Sequence, residues 1–177
     1  MASERSGTTN SILNFPPIAR TRRNHGLEHA TLTLISRGNP SLHMAGHSDP
    51  GGFWVIGDVT LPEVKAAVEE ALQRLRAGEL GLAIHPNCGT NFVTSGVLAS
   101  VAVFAAMFGA GRRFQDKLWR LPVAASLATV ALIAAQPLGR KVQEHVTTSG
   151  ELENLRIVKI TPSRRGKMNA FRVSTQS

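Results

Sequence analysis

Phe92 to Ala110 reads FVTSGVLASVAVFAAMFGA, and Leu121 to Gly139 reads LPVAASLATVALIAAQPLG, two nineteen-residue runs without a charged side chain. As helices rising about 1.5 Å per residue, each would span roughly 28 Å, close to the roughly 30 Å hydrocarbon thickness of a bilayer. Both runs are rich in Ala, Gly, Ser and Val, the small residues that let membrane helices pack closely. Gly96, Ala99 and Ser100 in the first, against Ala125, Ser126 and Ala128 in the second, are the expected contacts. A buried helical hairpin of a soluble protein has similar letters. The Arg and Lys residues flanking the runs favour a membrane hairpin over residues 92–139.

Charge is divided unevenly around this hairpin. The chain has 177 residues and a net charge of +8. Residues 1–90 are neutral overall, 111–120 carry +3 and 139–177 carry +5, so the whole excess follows residue 110. Arg112, Arg113, Lys117 and Arg120 in the connector favour a cytoplasmic connector under the positive-inside rule. Against that, MASERSGTTN offers no signal peptide to export the preceding ninety residues, and Arg140 and Lys141 follow the second run. The expectation is a bacterial inner (cytoplasmic) membrane protein with both termini on one side, the cytoplasmic one. Two spans return the chain to its starting side, so the segments before and after the hairpin can pack together.

Composition removes other classes. Charged residues make up 18%, below the usual quarter, which excludes disorder over the whole chain. One cysteine, Cys88, excludes an internal disulfide framework. Aromatic residues are 5% with no tyrosine, so a nucleobase-stacking platform is excluded, and the basic tail suits anionic lipid headgroups rather than nucleic acid. No Walker loop, G-x-G-x-x-G or G-x-S-x-G is present.

Before the hairpin, residues 1–17 read as a flexible arm and 18–91 as a small α+β domain. A helix is predicted from Ile18 or Ala19 to Arg37, ended by Gly38 and Pro40. At about 100° per residue its apolar face (Leu27, Ala30, Thr31, Leu34) is core, and the opposite face carries His25, Glu28 and His29. SLHMAGHSDPGG reads as turns, FWVIGDV as a strand, and Thr60-Leu-Pro-Glu63 as a capping box opening a helix that stops near Gly78. LGLAIHP reads as a further short strand. Thr90 and Asn91 suit the cap of the first membrane helix. In the basic tail, 140–177, LRIVKITP and AFRVSTQ form a β-hairpin that joins the same sheet, and His145 flanks the membrane.

His25-Gly-Leu-Glu28-His29 is H-x-x-E-H, the inverted zinc-peptidase spacing. Two histidines four apart on a helix reach one Zn²⁺, and Glu28 beside them has the chemistry of a general base. A catalytic zinc needs a third protein ligand. His85 and Cys88 in HPNC are the favoured candidates; His43, His47, Asp49 and Glu79 are alternatives. The structural reading of the same residues is a hydrogen-bonded polar helix face, two loop histidines and a small core cysteine.

RNHGLEHAT, GGFWVIGDV, ALQRLRAGEL and LAIHPNCGTN together resemble an uncharacterised bacterial membrane-protein family, a domain of unknown function with HALEHAT-type and HPxCGTN-type motifs. The resemblance covers roughly residues 20–139, with Gly26 where some relatives carry Ala. It implies that His25, Glu28, His29, His85 and Cys88 form one constellation, and it brings no activity with it. The resulting expectation is a membrane-anchored, zinc-binding protein with a metallopeptidase-like hydrolase activity. The alternative is a non-catalytic assembly or accessory protein with a structural metal or none, working in a homo-oligomer or membrane complex.

Overall fold

The computed structural model describes residues 12–111 and 113–177. Most of the expected arm, and Arg112 of the connector, lie outside the described residues. The chain forms two compact units, residues up to 85 together with 144–177, and residues 86–143.

Pro16 and Pro17 belong to the first helix and not to the arm: α1 runs Pro16–Gly38. Proline suits a first turn, where its missing N–H has no helical partner to lose. The face of α1 opposite the apolar one is buried as well. Apart from His25, every residue from Asn24 to Leu32 is buried, Glu28 and His29 included. The helix is therefore enclosed on both faces, and its polar side chains must find partners inside the fold.

On one side of α1 lies the sheet. The stretch expected to be turns is instead β1 (Met44–Asp49), paired antiparallel with β2 (Gly52–Gly57) around Pro50-Gly51. Backbone pairing to β2 overrides the poor strand propensity of Gly46, Ser48 and Asp49. After β2, α2 (Leu61–Arg76) opens with the predicted capping box: Glu63 Oε2 accepts the Thr60 N–H at 2.7 Å. Val64, Val68, Ala71 and Leu75 of α2 join Leu27 of α1 in the core. LGLAIHP does not form a strand. Leu80–Ala83 is a single 3₁₀ turn that buries Leu82 and Ala83, since a short apolar run fits either conformation.

The C-terminal hairpin, β3 (Arg156–Arg165) and β4 (Met168–Gln176), completes an antiparallel sheet of order β1-β2-β4-β3, as expected of an α+β fold. Alternation sends Phe53 and Val55 of β2 and Phe171 and Val173 of β4 into the core, none more than 4% exposed. The outward row crosses His47, Trp54, Arg172 and Thr161. Arg172 donates two 2.7 Å bonds to the Asp49 carboxylate, a bidentate pair at the end of β1. Asn24 of α1 ties in here, donating to the Asp49 carbonyl at 2.8 Å and accepting the Thr175 hydroxyl at 2.7 Å.

Residues 145–149 lie against the other side of α1. The Ser149 N–H donates to the Arg22 carbonyl at 2.9 Å, and Arg22 Nη2 donates to the carbonyls of His145 and Thr148. Gly26 makes this approach possible: a Cβ there would stand 2.9 Å from the Ser149 carbonyl carbon and nearer still to its oxygen.

The second unit is a helical hairpin, α3 (Gly89–Met107) and α4 (Phe114–Val142), followed by a π-turn at Gln143–Thr147. α4 begins seven residues before the predicted span, because Asp116 accepts the Arg113 N–H at 3.3 Å and starts the helix within the expected connector. Both helices are long and apolar enough to cross a membrane, and only 6% and 11% of their apolar windows are buried. Phe92 (69% exposed), Phe104 (69%) and Trp119 (83%) point away from the protein. The packing stripe differs from the expected one. Ala106, Ala124, Ala135 and Gly139 are buried, whereas Gly96, Ser100, Ala125 and Ser126 are exposed; Ala99 and Ala128 are half-buried.

Two consequences are measurable. In an unpacked helix Gly26→Ala would gain up to about 1 kcal/mol of helix propensity. Against the Ser149 backbone it should instead destabilise by roughly 1–3 kcal/mol, the usual cost of overpacking. Denaturant unfolding should show this loss, with Gly38→Ala, where a Cβ meets nothing within 4 Å, as the neutral control. The second concerns acid. Hydrogen bonds from Arg172 hold the Asp49 carboxyl below its ordinary value of 3.8. Its stabilisation is therefore present above pH 3.8 and lost as pH falls through the lower folded value. Asp49→Asn should flatten that part of the acid-unfolding profile, and an unchanged profile would remove the pair's assigned role.

Candidate metal centre

α1 sets the site because His25 and His29, four residues apart, project from successive turns of one buried helix. Their rings meet edge to face with centroids 4.3 Å apart. Each ring is held by a backbone carbonyl from a distant part of the same unit. His25 Nδ1 lies 3.0 Å from the Thr147 oxygen, and His29 Nδ1 lies 2.7 Å from the Ala83 oxygen. A carbonyl oxygen only accepts, so both Nδ1 atoms carry the proton, and in the neutral rings the lone pair sits on Nε2. Metal-ligating histidines are oriented in just this way, by a second hydrogen bond that fixes tautomer and ring plane.

His85 follows the 3₁₀ turn that supplies the Ala83 carbonyl. Its ring is half-buried, 5.7 Å from that of His29 between centroids. Burial first, and the His29 charge second, push its pKa down, which favours the neutral imidazole that a metal requires. Cys88 is buried and caps α3, its Sγ accepting the Thr90 N–H at 3.4 Å. The cap of α3 is thus Cys88 and not the expected Thr90 or Asn91. Asn91 instead donates to the Pro86 carbonyl at 2.7 Å and accepts from Gln143 at 2.6 Å. His25, His29 and Cys88 are a donor group that could hold a metal ion.

Glu28 faces β1. The Ser48 hydroxyl donates to its Oε2, and Gly46 lacks the side chain that would otherwise collide with the carboxyl group. Burial raises the Glu28 pKa most strongly; the Ser48 bond, His25 and His47 oppose that rise. Ser48 was not visible as a site residue, although its alternation with His47 in HSD would place one of the two toward the helix if the stretch were read as a strand.

The remaining alternatives for a third ligand are otherwise engaged or outward-facing. Glu79 forms a salt bridge with Arg74 at 2.6 Å, and Asp49 is the partner of Arg172. His43 is exposed ahead of β1, and His47 is exposed on the outward row opposite Trp54. His145 is exposed, with its carbonyl accepting from Arg22. Arg22, one turn before His25 on the same side of α1, was not singled out by sequence reasoning; the i, i+3 spacing to His25 was the available signal.

Comparison with known proteins places the chain in a family. The chain is 36% identical over 151 residues to an uncharacterized protein of Picosynechococcus sp. (strain ATCC 27264 / PCC 7002 / PR-6), covering 77% of this chain and 72% of the relative. No solved structure matches the chain. Residues 20–160, which include His25, Glu28, His29, His85, Cys88 and both long apolar helices, match the family described as Domain of unknown function (DUF6391), and the chain belongs to that family.

Proposed function

We propose that this chain is a membrane-anchored metal protein in which His25, His29 and Cys88 hold a zinc ion, with His85, the other favoured candidate for third ligand, left outside the donor set. The observation that carries the reading is the pair of Nδ1–H bonds to the Thr147 and Ala83 carbonyls, which leaves both rings with an Nε2 lone pair. Imidazole and thiolate donors suit Zn²⁺, whereas Mg²⁺ and Ca²⁺ call for oxygen ligands. The sparse burial of the two long apolar helices supports anchorage in a membrane, and two crossings would leave residues 18–91 and 140–177 on one side of it.

A hydrolytic role is supported by two further features. Three protein donors leave a zinc coordination position for water or substrate, whereas four would close the site. Such an ion, when bound, supplies Lewis acidity. Glu28 would be the base, accepting a proton at a carboxylate oxygen, and its raised pKa brings it toward the range in which a base works near neutral pH. Ser48, by donating to Oε2, would fix which oxygen takes the proton. The same Ser48 bond favours a second reading, in which Glu28 only fastens α1 to β1 and the metal is structural.

Elemental analysis of the full chain purified without chelators should find one zinc per molecule. His29→Ala and Cys88→Ala should lose it, while His85→Ala keeps most. Glu28→Gln should retain the zinc and slow peptide hydrolysis by about 10²- to 10⁴-fold, the usual contribution of a positioned base. A wild-type chain without stoichiometric zinc defeats the metal reading. Zinc retention with an unchanged hydrolytic rate in Glu28→Gln leaves the structural reading standing.

A further inference from the structure

A cavity of about 290 Å³ opens beside the first half of α1. Its lining includes Arg22, Glu144, Thr148, Ser149, Gly150 and Glu151, all in the α+β unit. Arg22 is unusual among the chain's cations. Its Nη2 reaches two carbonyls at 3.2 and 3.3 Å, but among the described residues its buried Nε has no hydrogen-bond partner. Among the described residues it enters no ion pair, while its neighbour Arg23 is bridged to Glu153 at 2.6 Å. A guanidinium stays charged even where burial lowers its pKa, as it does here. A charged group with an unmet buried donor is costly unless something supplies an acceptor.

The two carboxylates narrow what that acceptor can be. Glu144 and Glu151 are exposed at the cavity; Glu144 lies 4.0 Å from the exposed His145 ring, and among the described residues neither carboxylate pairs with Lys or Arg. A simple anion would satisfy Arg22 but would bring its charge toward two carboxylates. A simple cation would suit those carboxylates and leave Arg22 Nε unmet. A ligand carrying both charges answers each wall at once. The cavity volume is at the small end of the roughly 300–1,000 Å³ typical of ligand sites, which limits the ligand to the size of an amino acid, a dipeptide or a lipid headgroup.

We propose that this cavity binds a small zwitterion, with its carboxylate or phosphate on Arg22 and its ammonium group toward Glu144 and Glu151. The site does not rest on a metal at His25 and His29. Calorimetric titration of the full chain in dodecyl maltoside, a detergent without zwitterionic headgroups, tests it. The probes are glycylglycine, phosphoethanolamine, N-acetylglycylglycine and inorganic phosphate. Saturable binding of glycylglycine or phosphoethanolamine, at least tenfold tighter than the acetylated dipeptide or phosphate, is the expected result. Preference between the two zwitterions then separates a peptide or amino-acid ligand from a lipid headgroup. Arg22→Gln should abolish binding. Because Arg22 also holds residues 145–148, the double variant Glu144→Gln, Glu151→Gln at exposed positions gives a second measure, an affinity loss of tenfold or more with an unchanged unfolding midpoint. Equal binding of the acetylated dipeptide or of phosphate, no binding of either zwitterion, or full affinity in the double variant would overturn the proposal.

Discussion

The structure depends on how a helix that is enclosed on both faces satisfies its polar side chains. From Asn24 to Leu32, α1 carries asparagine, glutamate, histidine and threonine at buried positions. An amide or hydroxyl buried without a partner costs about 1–3 kcal/mol, and an unpaired charge more. A single domain has only about 5–15 kcal/mol of net stability, so several such failures together would unfold it. None of the four is left unmet. Asn24 bonds the β1–β2 turn and β4, Glu28 takes the Ser48 hydroxyl, His29 takes the Ala83 carbonyl, and Thr31 bonds back to the Leu27 carbonyl at 2.8 Å. Apart from the Thr31 bond, which stays within α1, each also fixes a neighbouring element on the helix. The polar contacts of α1 thus act as the positional frame of the whole α+β unit.

This explains why the two imidazoles are oriented from so far away in sequence. The carbonyl on His29 is 54 residues distant and the one on His25 is 122 residues distant. Local backbone could not serve, because carbonyls within a helix point along its axis and are committed to its own ladder. The partners therefore come from irregular segments, a 3₁₀ turn and the end of a π-turn, whose carbonyls are not taken by a regular ladder. Irregular backbone at 80–83 and 143–149 is in this sense what makes an imidazole pair of defined tautomer possible.

The same logic separates what was legible in the sequence from what was not. Features encoded within a few residues could be read directly: the Thr60–Glu63 capping box, the alternation in β2 and β4, the two charge-free runs, and the H-x-x-E-H spacing. Features that depend on a remote partner could not. β1 looked like a run of turns because Gly46, Ser48 and Pro50 are poor strand formers, and only its pairing with β2 and the approach of Glu28 give those letters their sense. Glu28 and His29 could be placed on the face opposite the apolar one, but that this face too is buried depends on the elements packed against it. Gly26 looked like a loss of helix propensity, while its actual constraint is the Ser149 backbone. Among the candidate ligands, Asp49 and Glu79 were indistinguishable from the rest until Arg172 and Arg74 were seen to occupy them.

The sheet order constrains the helical hairpin in turn. β2 pairs with β4, so residues 52–57 and 169–174 lie side by side although the two long apolar helices come between them in sequence. Side chains such as Phe92, Val97, Phe104, Trp119 and Ile133 are left uncovered by this chain. Fully burying each such side chain gains about 1.5–3 kcal/mol, so a run of them in water forgoes more than a marginal domain can spare. An apolar environment around the hairpin removes that penalty, and if each helix crossed a bilayer, the two crossings would return β3 and β4 to the side of β2. A single long helix of the same composition would leave β1 and β2 without the two strands that complete their sheet. A hairpin thus suits the sheet as well as its own apolar surface.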